Sequence, residues 1–156
     1  MVDLGSLRVL HQSLPHPGGS FAYRVETIGS TLVYATDGEY THRFDTDDAE
    51  APHLYGVDVE SYVSFFRGAD TLIFDAMYGL HESIAKADWG HSTALIGIDL
   101  AARAGIKRLV LFHHDHNDSD ESIWALGDQA RDAVGREPRQ PSLDVQVAFE
   151  GMELQA

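Results

Sequence analysis

The stretch STALIGIDLAARAGIKRLVLFHH, Ser92–His114, decides how this chain folds. Its opening part, Ser92–Ala104, sets Leu95, Ile98 and Ala102 on one stripe at helical spacing. Gly105 is a natural helix stop. Arg108–Phe112 (RLVLF) then reads as a strand buried on both faces, because it is apolar without alternation. A helix delivered straight into a buried strand is the repeating step of a layered α/β protein. Toward the C-terminus the same step recurs. Asp120–Val134 predicts a helix with Ile123, Gly127, Ala130 and Val134 on one side and Asp118 and Glu121 at capping-box spacing. Leu143–Phe149 (LDVQVAF) alternates as a strand.

Toward the N-terminus the pattern changes from mixed to all-strand. Thr71–Ala76 (TLIFDA) is a short apolar strand, preceded by a helix over Asp58–Phe66 that Gly68 closes. Before it come Thr31–Ala35 (TLVYA), Phe21–Thr27 (FAYRVET) with a turn at Gly29-Ser30, and Leu7–Leu14 ending in His16-Pro17-Gly18-Gly19. The stretch Asp37–Gly56, with Asp45, Asp47, Asp48 and Glu50 in quick succession, reads as a solvated loop. The expectation is one domain over residues 1–156, an α/β (α+β layered) fold with a mixed sheet.

Composition narrows the function. The chain of 156 residues carries 11 Lys and Arg against 25 Asp and Glu, a formal net charge of −14. Such a surface disfavours holding a nucleic acid by its phosphates, which takes Lys and Arg, so a nucleic-acid partner is not expected. With no cysteine there are no disulfides, thiolate metal sites or cysteine nucleophiles. No apolar run is long enough for a membrane helix, and Met1–Gly5 lacks the basic, apolar start of a signal peptide, so a cytoplasmic setting is expected.

Nine histidines in such a chain direct attention to strand ends, where side chains meet in a common cleft. His16 follows the first strand, Asp37 follows TLVYA, and His113 follows RLVLF; His91 stands just ahead of the Ser92 helix. Imidazole and carboxylate together suit a divalent metal, zinc first, with manganese or iron as alternatives. Each residue also has a plainer reading: a strand-end histidine caps a turn, and Asp37-Gly38 is an ordinary turn pair.

Taken together, HPGGSFAYRV, STLVYATD, GADTLIFDAMY and WGHSTALIGIDLAARAGIKRLVLFHHDH resemble, in order, the C-terminal half of a metallo-β-lactamase-fold hydrolase of the ribonuclease Z and phosphodiesterase branch. The resemblance runs from about Leu7 to about Glu121. It implies half of an αββα sandwich, with helices on one face of the sheet. It implies His16, Asp37 and His113 as metal ligands, with Asp37 bridging two metals when the fold is complete. It further implies that His91 acts beside a scissile phosphate, that Asp37 and His91 carry the catalysis, and that metal-activated water attacks a phosphodiester or related small ester. Asp75, ending TLIFDA, either orients a ligand or pairs with nearby backbone.

The family's H-x-H-x-D-H signature is absent from this sequence. His114-Asp115-His116-Asn117-Asp118-Ser119 imitates it but ends in serine and stands at the wrong place in the motif order. His114 and His116 are therefore expected near the substrate, behind a ligand or in solvent, and His11, His42, His53 and His81 on the surface. A half-sandwich leaves one sheet face, with residues such as Val33 and Val110, in need of cover. The expected partner is a second copy in a homodimer or a separate N-terminal half. The alternative is a truncated, catalytically inactive domain that acts by association.

Overall fold

In the computed structural model, residues 1–40, 59–139 and 141–154 are described. The elements are β1 (Val2–Asp3), β2 (Arg8–Leu14), β3 (Ser20–Glu26), β4 (Thr31–Ala35), α1 (Val59–Phe66), β5 (Thr71–Asp75), α2 (Leu80–Ala85), α3 (Ala94–Ala104), β6 (Arg108–Phe112), α4 (Asp120–Val134) and β7 (Asp144–Val147). The strands form one sheet in sequence order. β1 to β4 are antiparallel neighbours, and β4 to β7 run parallel. This is the mixed α/β sheet that the sequence pattern predicts.

The change from antiparallel to parallel follows the connections. β3 and β4 are joined by a tight turn, in which the Thr27 hydroxyl accepts from Ser30 N–H, so they must be antiparallel. β5, β6 and β7 are each reached through a helix, which carries the chain back to the starting edge. α3 is capped by Thr93, whose side chain accepts from Ile96 N–H, and ends at Gly105. Of the expected stripe, Ile98 and Ala102 are buried and Leu95 is exposed; Ala94, Leu100, Ala101 and Ala104 are buried as well. Gly97 lets the helix lie close on the sheet: a Cβ there would stand 2.7 Å from Phe74 Cδ1. The α4 cap is Ser119, accepting from Ser122 N–H, not the expected Asp118. The two-residue β1 and the short α2 had no clear sequence signal, and α2 buries no residue of its own.

Alternate residues of the central strands face α1, α3 and α4: Val33, Leu72, Phe74, Leu109, Leu111 and Val145 pack with Val63, Phe66, Ile98, Ala101, Ala130 and Val134. The opposite face carries Tyr23, Val25, Leu32, Tyr34, Ile73, Val110 and Phe112, an apolar groove of about 470 Å³ with Phe149, Met152 and Leu154 along it. The expectation for Val33 is corrected here. Register places it beside Leu72, on the helix side, where it is 0% exposed. Val110 does belong to the groove, and strand neighbours and residues 148–154 already shield it to 1%. Phe21, Tyr23 and Phe149 remain open to solvent.

Among the described residues, no helix is long and apolar enough to cross a membrane. His42, His53, most of the expected acidic loop and the first residue of the expected Asp58 helix lie outside the described residues.

Candidate metal centre

β2 runs antiparallel to β3 and β3 to β4, so β2 points the same way as the parallel strands. The ends of β2, β4, β5 and β6 therefore meet at one edge of the sheet, and the residues that leave them share a cleft. His16 follows β2, Asp37 follows β4, Asp75 ends β5 and His113 follows β6. His91 enters from the loop two residues before the Thr93 cap.

The ligand atoms of His16, Asp37 and His91 lie within 4.8 Å of one another, as do those of Asp75, His91 and His113. The two groups share His91, and His113 links them: its Nδ1 is 3.6 Å from Asp37 Oδ1 and 3.5 Å from Asp75 Oδ1. His16 and His113 fall in different groups.

Asp75 is the buried centre of this arrangement, 0% exposed. Its Oδ2 accepts from Gly38 N–H at 3.2 Å and stands 3.0 Å from His91 Nδ1, while Oδ1 accepts from Met77 N–H at 3.1 Å. Burial pushes its carboxyl pKa up, but His113, His91 and the Gly38 N–H outweigh this and hold it below the usual value. His113 is shifted upward, first by Asp75, with burial opposing and Asp37 assisting. Both shifts describe carboxylates that favour positive charge beside them.

His113 also supplies the test of fit for a metal. Its backbone takes φ +60°, a left-handed conformation unusual for a side-chain-bearing residue. Its Nδ1 is buried without a hydrogen-bond partner. A buried imidazole nitrogen between two carboxylates, too far from either to bond, is costly unless something joins them. Two ligands at zinc–nitrogen and zinc–oxygen distances, at a tetrahedral angle, stand roughly 3.4 Å apart. The observed spacings match that, and nitrogen and carboxylate donors suit zinc, manganese or iron. His16 fits less simply. Its Nδ1 accepts from Gly18 N–H at 3.0 Å, which puts the proton of a neutral ring on Nε2. It ligates through Nε2 only when that hydrogen bond is released.

The loop after Asp37 departs from expectation. Gly38, Glu39 and Tyr40 are buried, not solvated. Ser92 Oγ donates to Gly38 O and accepts from Tyr40 N–H at 3.1 Å, so Ser92 ties the Asp37 loop to the His91 loop. The Glu39 side chain crosses to the same loop. Neither role was legible: GHST reads as a helix start, and Glu39 is submerged in an acidic run. Asp75 was legible as the polar end of an apolar strand.

The remaining histidines separate cleanly. His11 and His81 are exposed, and so is His116. His114 is half-buried with both ring nitrogens unpartnered, and burial lowers its pKa. The His114–Ser119 run is the entry to α4: Asp115 accepts from Asn117 N–H and from Lys86, which hold its pKa at about 2, and Ser119 caps the helix.

No protein-family model matches the chain. Ribonuclease Z of Prochlorococcus marinus is 32% identical over 85 residues, 54% of this chain and 21% of the relative. The YhfI protein of Bacillus subtilis, a metallo-β-lactamase-fold protein, superposes with a TM-score of 0.68 at 20% identity, over 97% of this chain and 50% of its own. Human tRNase Z, short form, gives 0.64 at 19%, over 97% and 44%. Zinc-bound PqqB of Methylobacterium extorquens gives 0.64 at 18%, over 98% and 52%. The sheet and its helix layer are thus those of the metallo-β-lactamase fold. In sequence, the matched stretch is similar to ribonuclease Z. It spans about half the length of the solved structures, and the aligned part is about a fifth of the ribonuclease Z relative.

Proposed function

We propose that this chain is a single-domain, cytoplasmic, metal-binding half of a phosphodiester hydrolase, whose full site also needs ligands from the other half of the fold. The observation that carries the reading is His113 Nδ1, buried without a hydrogen bond at 3.6 Å from Asp37 and 3.5 Å from Asp75. His113 and Asp37 would hold one divalent ion, zinc first, and His16 and Asp37 a second. A bound ion supplies Lewis acidity and brings the pKa of a coordinated water toward roughly 7.

The chain's own residues do the rest. Asp75 accepts from His91 Nδ1–H and so leaves Nε2 as the nitrogen that faces the cleft and exchanges a proton. Protonated at Nε2, His91 steadies a phosphoryl oxygen and gives its proton to the departing oxygen. Ser92 and the Asp75 carboxylate hold the Asp37 loop, so that this carboxylate stands ready between the two histidine groups.

The acidic surface favours a small phosphodiester, whereas likeness to proteins named for ribonuclease and tRNase activity supports RNA, against the composition-based expectation. The open apolar groove supports a partner, either a second copy or an N-terminal half. Equilibration with zinc, manganese or iron followed by metal analysis tests the site. Wild type is expected to retain metal, Asp37→Ala to lose it and His113→Ala to lose one of two ions; equal retention in all three overturns the reading. Hydrolysis of bis(4-nitrophenyl) phosphate against a short RNA then separates the two substrate classes.

A further inference from the structure

Glu39 is only 6% exposed, and among the described residues it forms no ion pair. Instead, one oxygen accepts from Asp88 N–H at 3.1 Å and the other from Gly90 N–H at 2.9 Å. Its own N–H donates to Pro15 O at 2.9 Å. One residue therefore joins three segments: the end of β2 that leads to His16, the loop after Asp37, and the turn that leads to His91.

That turn is strained. Asp88 takes φ +71° and Gly90 φ +89°. A non-glycine residue in the left-handed region is disfavoured and persists only when its surroundings impose it. The two hydrogen bonds to Glu39 supply the imposition, since they fix both peptide N–H groups toward one carboxylate. The turn is also in contact with the site. A Cβ at Gly90 would stand 2.3 Å from His16 Cδ2 and 2.8 Å from Pro17 Cδ. The backbone of Gly90 is thus packed against the His16 ring, and His91, the next residue, sets its own ring edge-on to His16 with centroids 5.6 Å apart.

We propose that Glu39 is a positioning residue of the metal centre: by clamping the 88–90 turn it sets the spacing between His16 and His91. The inference rests on the metal-site reading above and assigns to that site the element that spaces its two histidines. Glu39 holds no ligand position, because each of its oxygens is engaged by backbone. Its loss frees the turn, so that Gly90 withdraws from His16 and His91 shifts with it.

The test uses Glu39→Gln in the full chain. The glutamine carbonyl replaces one acceptor, but its NH2 faces a backbone N–H and cannot bond it. Cobalt(II), a visible probe for a zinc-type site, is titrated into wild type and variant, and the Gly90 amide and the His16 and His91 ring signals are followed by NMR without metal. Expected are a 10–100-fold weaker cobalt affinity, as for other residues that orient ligands, an altered cobalt absorption band, and displaced Gly90, His16 and His91 signals. A purely structural Glu39 would lower the melting temperature yet leave the cobalt band and affinity of the folded fraction as in wild type; that result overturns the proposal. If Glu39→Gln does not fold, Gly90→Ala keeps the carboxylate and pushes on His16 directly. Weakened cobalt binding there supports the spacing argument, and wild-type binding overturns it. Absence of cobalt uptake by wild type defeats the metal-site reading itself, and the metal-free His16 and His91 signals then still decide whether Glu39 spaces the rings.

Discussion

The two ends of the parallel strands treat their acidic residues in opposite ways. At the N-terminal ends, Asp70 is paired with Lys107 at 2.7 Å and accepts from Thr31 N–H at 2.9 Å, and Asp144 meets Arg108 at 3.3 Å. At the C-terminal ends, Asp37 and Asp75 have, among the described residues, ion-pair partners that are histidines only. A carboxylate matched by lysine or arginine is a finished interaction. Carboxylates matched only by imidazole, one of them fully buried, keep the ability to bind a cation or to move a proton. The fold thus settles its charges at one edge and leaves them open at the other, and the open edge is where function is expected.

The comparison can be broken in four places. The largest effect is expected from His91→Ala. In the proposed hydrolase, with the partner half that reading calls for, turnover of a phosphodiester should fall by about 10²–10⁴-fold, as for loss of a general acid, while metal content changes little. Parallel loss of metal and turnover would make His91 a ligand instead.

Next comes Asp75→Ala. It removes the acceptor of the Gly38 and Met77 N–H groups and the partner of His91. Buried donors left without acceptors cost about 1–3 kcal/mol each, so urea unfolding should report a loss of about 2–3 kcal/mol. A loss below about 1 kcal/mol would show that Asp75 is held against its own desolvation and serves the site alone.

Metal supply comes third. At 100 times its dissociation constant, an ion that binds only the folded chain adds about 2.7 kcal/mol. Zinc should therefore raise the melting temperature of wild type clearly more than that of His113→Ala. An equal rise in both would place the ion elsewhere.

The smallest effect belongs to the opposite edge. Lys107, with help from the Thr31 N–H, holds the Asp70 pKa below its ordinary value. A lowered folded-state pKa stabilises above the unfolded value near 3.9 and ceases to do so as pH falls through the folded one. Asp70→Asn should cost less than about 1 kcal/mol at neutral pH, as exposed pairs do, and the cost should vanish in acid. Persistence of the full difference at pH 2 would assign the effect to the Thr31 hydrogen bond alone.

How far the site was legible depends on which partners each residue needs. His16, Asp37, His91 and His113 stand beside strands or a helix that periodicity reveals, and the folded chain brings all four to one cleft. Glu39 and Ser92 act across 51 and 54 residues of sequence, through Gly90 and Gly38 respectively. No local pattern records such partners, so DGEY passed for solvated loop and Ser92 for a helix start. The α4 cap lies one residue later than expected: Asp118 and Ser119 are both good caps, and it is Ser119 that accepts from Ser122 N–H.

By itself, the sequence determined the parts governed by short-range physics. β4, β6 and α4 have the limits that apolar runs and glycine stops predict, and the alternation of strand and helix dictates parallel pairing from β4 onward. Which face each strand shows and what each charge meets depend on contacts between residues far apart in sequence. Val33 and Val110 read alike along the chain, yet register turns one to the helices and the other to the open groove. Asp70 and Asp75 flank the same strand, yet one finds Lys107 and the other His91 and His113. Hydrophobic period acts over a few residues and survives in the sequence, whereas a charge is completed by whatever the fold carries within a few ångströms of it.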